Sequence, residues 1–181
     1  MQKKTANPSG ITDEYRAEHG GAFSQIPNKL MQVKTKNSCE GGGTGQEFTR
    51  NLLIPGDGPG NKWYDHVSHG TWIQLSLKSP RVVSMFGLKS ANDCPERDPS
   101  CFSFYGVADN GEKILLYTAY DVEFEERYLW KMFSVNNTQA FKTYFLDITA
   151  NLNVTKKDNW GSGTQLAEIS LYEQSVSLKE D

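Results

Sequence analysis

The sequence predicts a single all-β domain, an antiparallel sandwich or barrel with short helical turns, and three observations carry that prediction. Short strand-like apolar runs, the one at 71–78 with a period of two, recur at roughly even spacing, turn residues stand between them, and helical periodicity is weak throughout. A chain of 181 residues fits one ordinary domain. At that size roughly 70% of the unfolded surface is buried on folding, enough for a core without disulfide or metal staples. With 37% apolar and 23% charged residues the composition is globular rather than disordered.

Residues 1–25 are polar and aperiodic and read as a tail or lead-in strand, with one short helical turn near 12–17. Residues 26–176 form the sandwich and 177–181 a C-terminal tail. Seven glycines and two prolines between Glu40 and Gly60 exclude a regular helix there, leaving Phe48 and Leu52 to Ile54 as core anchors. The run 71–78 then alternates Ile73, Leu75 and Leu77 with Gln74, Ser76 and Lys78, the pattern of a half-buried strand, and Ser79-Pro80 ends it. A more buried run follows at 82–88. Runs at 101–105 and 113–117 make a hairpin around Asp109-Asn110-Gly111, and further strands fall at 141–148 and 166–172. Residues 121–133 suit either a turn or two of helix or a loop followed by a strand. Phe86 and Phe104 are assigned to the core, and Trp63 and Trp72 to core or rim packing.

Several function classes are excluded or disfavoured at this stage. A formal charge of −3, from 19 basic and 22 acidic residues, argues against a nucleic-acid module. No run reaches the ~18 apolar residues of a membrane-spanning helix. The opening MQKKTANPSG lacks the apolar stretch of a secretory signal, which leaves the compartment open with a lean towards an intracellular one. Cys39, Cys94 and Cys101 cannot all pair within one molecule; either Cys94 bridges Cys101 or all three are reduced thiols, and no C-x-x-C points to zinc. The motifs G-x-S-x-G, H-E-x-x-H and G-x-x-x-x-G-K-[ST] are missing, so the chain reads as a non-enzyme. The acidic residues Asp121, Glu123, Glu125 and Glu126 read as a solvated face.

The order of motifs is more specific than any one of them. Asn51-Leu52-Leu53 leads through Asp57-Gly58 to Asn61-Lys62-Trp63; the stretch Ser90-Ala91-Asn92-Asp93-Cys94-Pro95-Glu96-Arg97-Asp98-Pro99 follows. Phe104-Tyr105-Gly106 then precedes Asp109-Asn110-Gly111, and Leu166-Ala167-Glu168-Ile169 stands near the end. Over residues 28–175 this collinear set resembles the discoidin, or coagulation-factor 5/8 type C, family of galactose-binding-like jelly rolls. The chain departs from that pattern at Pro59-Gly60, at Val107-Ala108, and in an insertion over 118–138.

The resemblance implies a jelly-roll β-sandwich acting as a non-catalytic, carbohydrate-binding module through loops at one end. The candidate ligand-binding residues are Tyr64, His66, His69, Asn92, Arg97 and Trp160. It also implies a structural Ca²⁺ between Asp57 of the Asp-Gly loop and Glu168 of the last strand, chemistry that suits an ion taking six to eight oxygens. Without the metal, Glu168 pairs with a lysine and Asp57 makes an Asx-turn. Arg97 and Asp98 are expected to lock their loop as a charged pair. The other function class the fold supports is a protein-interaction subunit of an intracellular complex, which an exposed apolar surface along 124–133 would favour. Membrane insertion is disfavoured, since the loops lack adjacent aliphatic residues flanked by Lys or Arg.

Overall fold

The computed structural model describes residues 23–37, 47–156 and 163–175. Its strands are β1 (Phe23–Gln25), β2 (Met31–Thr35), β3 (Trp63–Asp65), β4 (Thr71–Arg81), β5 (Met85–Lys89), β6 (Pro99–Val107), β7 (Lys113–Ala119), β8 (Trp130–Ser134), β9 (Phe141–Asn151), β10 (Thr164–Leu166) and β11 (Glu168–Gln174). One helical turn, α1 (Leu152–Lys156), follows β9, where the Asn151 side chain accepts the Val154 N–H at 3.0 Å as an N-cap.

All strand pairs are antiparallel. A five-stranded sheet runs β2-β4-β9-β6-β7, a four-stranded sheet β1-β11-β5-β8, and β3 pairs with β10 as a short ribbon. The architecture is therefore the sandwich and not the barrel. Its two main sheets meet over the alternate apolar positions the sequence exposes: Ile73, Leu75 and Leu77 of β4, Phe102 and Phe104 of β6, and Leu146 and Ile148 of β9 from one side. Phe86 and Leu88 of β5 and Ile169 and Leu171 of β11 come from the other. Phe86 is the centre, stacked on Phe104 at 4.3 Å and on Phe133 at 5.0 Å. Trp63 is fully buried, whereas Trp72 lies on the outer face of the larger sheet against Phe145 at 5.3 Å.

One element differs from the sequence expectation, and three readings the sequence left open are decided. β4 does not stop at Ser79-Pro80 but continues to Arg81; the register shifts between Ser76 and Arg81, and an exposed proline is tolerated in such a break in the ladder. Phe23–Gln25, read as lead-in, pairs with β11. Over 121–133 no helix forms: Asp121 and Tyr128 have left-handed backbones, with φ of 53° and 57°, and the segment is a loop that ends in β8. Cys94 and Cys101 are both free thiols, so they form no bridge. Cys39, Trp160 and the turn expected near 12–17 lie outside the described residues. Among the described residues no helix is long and apolar enough to cross a membrane.

Candidate functional site

At one end of the sandwich the segments around β3, after β5 and at β10 meet on the ammonium of Lys62. That lysine side chain is 3% exposed and donates to Asp93 at 2.6 Å and Gln165 at 3.0 Å, with Glu47 at 3.3 Å. Gln165 closes the network by donating to the Asp93 carbonyl at 2.6 Å and the Cys94 carbonyl at 3.3 Å. Burial raises the Asp93 carboxyl, but the hydrogen bond and charge of Lys62, with Gln165 and Arg97, outweigh it and hold Asp93 below its ordinary value. A buried cation with three partners from three segments fixes where the 90–98 loop stands.

Asp65, fully buried at the end of β3, organises the next loop. Its carboxylate accepts from the Thr71 hydroxyl at 2.5 Å, the Asn37 amide at 2.8 Å and the Val67 N–H at 3.1 Å. The loop thus held carries His66 and His69, both exposed. The His66 ring meets Tyr64 edge-on at 5.0 Å, and the Arg97 guanidinium lies 4.9 Å from the centre of the same Tyr64 ring. Gly163 packs so close to Tyr64 that any Cβ would overlap the phenol ring, and its φ of +104° independently favours glycine.

Of the sequence-predicted site residues, Tyr64, His66 and Arg97 come together. Tyr64 is on strand β3 rather than a loop and is 6% exposed, so its ring supports His66 and Arg97 instead of offering a face of its own. Asn92 shares the loop of Arg97; its Oδ1 and the Nε of Arg97 are both buried without a hydrogen-bond partner. His69 shares the loop of His66. The expected Arg97–Asp98 pair does not form. Asp98, fully buried, is gripped in a fork by both terminal nitrogens of Arg127 from the 118–138 insertion, while Arg97 turns towards Tyr64. Lys62, Asp65, Gln165 and Arg127 were missed as positioning residues; Lys62 stands within the quoted Asn61-Lys62-Trp63 motif, but nothing in sequence announces its partners.

Asp57 and Glu168 also converge, but on a lysine. The Lys89 ammonium donates to Asp57 at 2.6 Å and to Glu168 at 2.9 Å. Four carbonyls of the loop accept from protein donors: Ile54 from the Asn61 amide, Gly58 from the Asn61 N–H, and Gly60 and Lys62 from the Asn51 amide. Calcium needs six to eight free oxygens at about 2.3–2.6 Å. This donor set, with a cation already between its two carboxylates, does not fit one.

No protein-family model matches the chain, and no curated protein matches it. Solved structures do. The family 32 carbohydrate-binding module of Clostridium perfringens NanJ, determined with galactose, aligns over 84% of this chain and 100% of its own at 13% identity and a TM-score of 0.64. A second family 32 module of C. perfringens, determined with GalNAc-β-1,3-galactose, covers 83% and 100% at 12% identity and a TM-score of 0.65. A fucolectin from striped bass serum covers 82% and 49% at 11% identity and a TM-score of 0.61. The chain therefore has the discoidin-like, galactose-binding-domain-like β-sandwich fold.

Proposed function

We propose that this chain is a non-catalytic carbohydrate-binding module whose ligand sits over His66 and Arg97 at the loop end of the sandwich. One observation carries the reading: a guanidinium and an imidazole from two separate loops are set against one buried tyrosine ring. Both groups hydrogen-bond hydroxyls, and the Lys62 and Asp65 networks pre-organise their loops, which lowers the ordering cost of binding. The buried carboxylates Asp65, Asp98 and Glu168 are each committed to structural partners, which supports binding rather than catalysis. Structural neighbours were solved with galactose and with GalNAc-β-1,3-galactose, which supports a sugar as the ligand class. Trp160, which lies outside the described residues, is the aromatic we propose for stacking on the sugar.

An exposed apolar surface over 124–133 would favour the protein-interaction alternative; there Phe124 and Phe133 are 5% and 8% exposed, and Tyr128, Leu129, Trp130 and Met132 are half-buried.

The test is a glycan array probed with the full chain, once in calcium and once in EDTA. Binding to a related set of sugars is expected in both buffers. His66→Ala and Arg97→Ala should each weaken it about tenfold, the roughly 1.4 kcal/mol that one hydrogen bond contributes. His66→Ala should leave the melting temperature unchanged, because His66 is exposed. An array blank in both buffers overturns the proposal.

A further inference from the structure

The Asp57–Lys89–Glu168 cluster is built as a buried cation site with the cation supplied by the chain. Lys89 ends β5 and is the register partner of Glu168 at the start of β11, so backbone pairing alone sets the two side chains together. Lys89 and Glu168 side chains are 10% and 9% exposed, whereas Asp57 is 64% exposed on the glycine-rich loop. The rings of Tyr128 and Trp130 each lie 5.8 Å from the ammonium. Gly56 N–H also donates to Glu168 at 3.3 Å, and Asn61 Nδ2 leaves no room for a Cβ at that glycine. The loop is thus tied to the last strand by one charged centre.

We infer that the Lys89 ammonium takes the place of a divalent ion at this point of the fold, so that the domain holds its Asp57 loop without calcium. An ammonium has three donors and no acceptor, so it can hydrogen-bond both carboxylates at once. Placing a divalent ion on the same oxygens sets a second cation within contact distance of Lys89. Burial by itself would lower the Lys89 pKa, but the hydrogen bonds and charges of Asp57 and Glu168 outweigh it and hold it above 10.5. The charge therefore persists through the neutral range, and the loop is held whatever the free calcium concentration.

Thermal melts of the full chain test this independently of any sugar, so they stand even where the glycan array fails. In CaCl2 and in EDTA the wild-type Tm should agree within about 1 °C, while Lys89→Met should fall by about 5 °C or more, since it leaves two carboxylates facing each other around a buried stem. Added CaCl2 should raise the Tm of Lys89→Met, because the oxygens are then released. Should that variant not fold, Lys89→Arg supplies the second reading: with its cation retained, it should melt at the same temperature in CaCl2 and in EDTA. A wild-type or Lys89→Arg Tm several degrees higher in CaCl2 than in EDTA, or a Lys89→Met Tm equal to wild type, overturns the inference.

Discussion

Asp98 has no exposed surface, and its carboxylate meets the Arg127 guanidinium in a fork. Burial is the larger influence and pushes its pKa from 3.8 to about 6; Arg127 offsets part of that rise, and Glu96 and Asp93 add to it. Arg127 keeps contact with water, its side chain 22% exposed; burial would lower its pKa, but the pairing with Asp98 outweighs that and raises it. A carboxyl whose folded pKa is raised stabilises the fold fully below its unfolded pKa and loses that contribution as pH climbs through the folded one. Between pH 4 and 7 the wild-type Tm should therefore decline relative to that of Asp98→Asn, which has no proton to lose, by about 5 °C over the interval. Scanning calorimetry of both proteins across that range makes the comparison; parallel curves would show that Asp98 holds its proton no more tightly when folded. Adjacency suggested Arg97 as the partner, and the true one is 29 residues on in an insertion whose path no local pattern reveals. A 3₁₀ turn over Pro95–Arg97 leaves Arg97 helical and Asp98 extended, so neighbours in sequence face different ways.

At the scale of elements, the passage from β4 to β5 carries the chain from the five-stranded sheet to the four-stranded one. It is pinned from a third strand. The buried hydroxyl of Tyr144 on β9 donates to the Arg81 carbonyl at 2.6 Å and accepts the Val83 N–H at 3.0 Å. Burial keeps the Tyr144 pKa above its ordinary value, so the hydroxyl stays a donor at all physiological pH. Tyr144→Phe strips the buried Val83 N–H of this partner and removes the hydroxyl from the Arg81 carbonyl, at a cost of about 1–3 kcal/mol, or roughly 2–10 °C in Tm. A melt unchanged by the substitution would show that water replaces the hydroxyl. The long strands on either side of this pin were legible because β4 and β6 alternate apolar with polar residues, while β5, β7 and β9 hold compact apolar runs set between turn residues. β3 and β10 were not, since three residues carry no period and their pairing joins positions about a hundred residues apart. α1 was hidden for a related reason, being one turn held by the Asn151 cap.

Across the whole molecule, stability and the candidate site are carried by different groups. The core is a run of rings from both sheets, with Phe86 stacked on Phe104 and Phe133, and Phe104 stacked in turn on Tyr144 at 5.5 Å. The site is carried by loops fixed through Lys62, whose partners Asp93 and Gln165 are 31 and 103 residues away. This division explains why the collinear motifs revealed the fold yet named only part of the site: motifs mark loop residues by type, while the ion pairs that aim them are set by tertiary placement. It also makes a prediction for the intact domain. Phe86→Ala empties the centre of the ring stack, which costs about 3–5 kcal/mol for a buried phenylalanine and lowers Tm by roughly 6–20 °C. The network around Lys62 shares no residue with that stack, so sugar affinity measured by calorimetry well below the new Tm should stay within about twofold of wild type. Lys62→Met should do the reverse at the site. It removes the ammonium that orders the 90–98 loop, and affinity should fall at least as far as in Arg97→Ala. Equal losses of affinity in Phe86→Ala and Lys62→Met would show that the loops draw their order from the core as a whole rather than from the lysine.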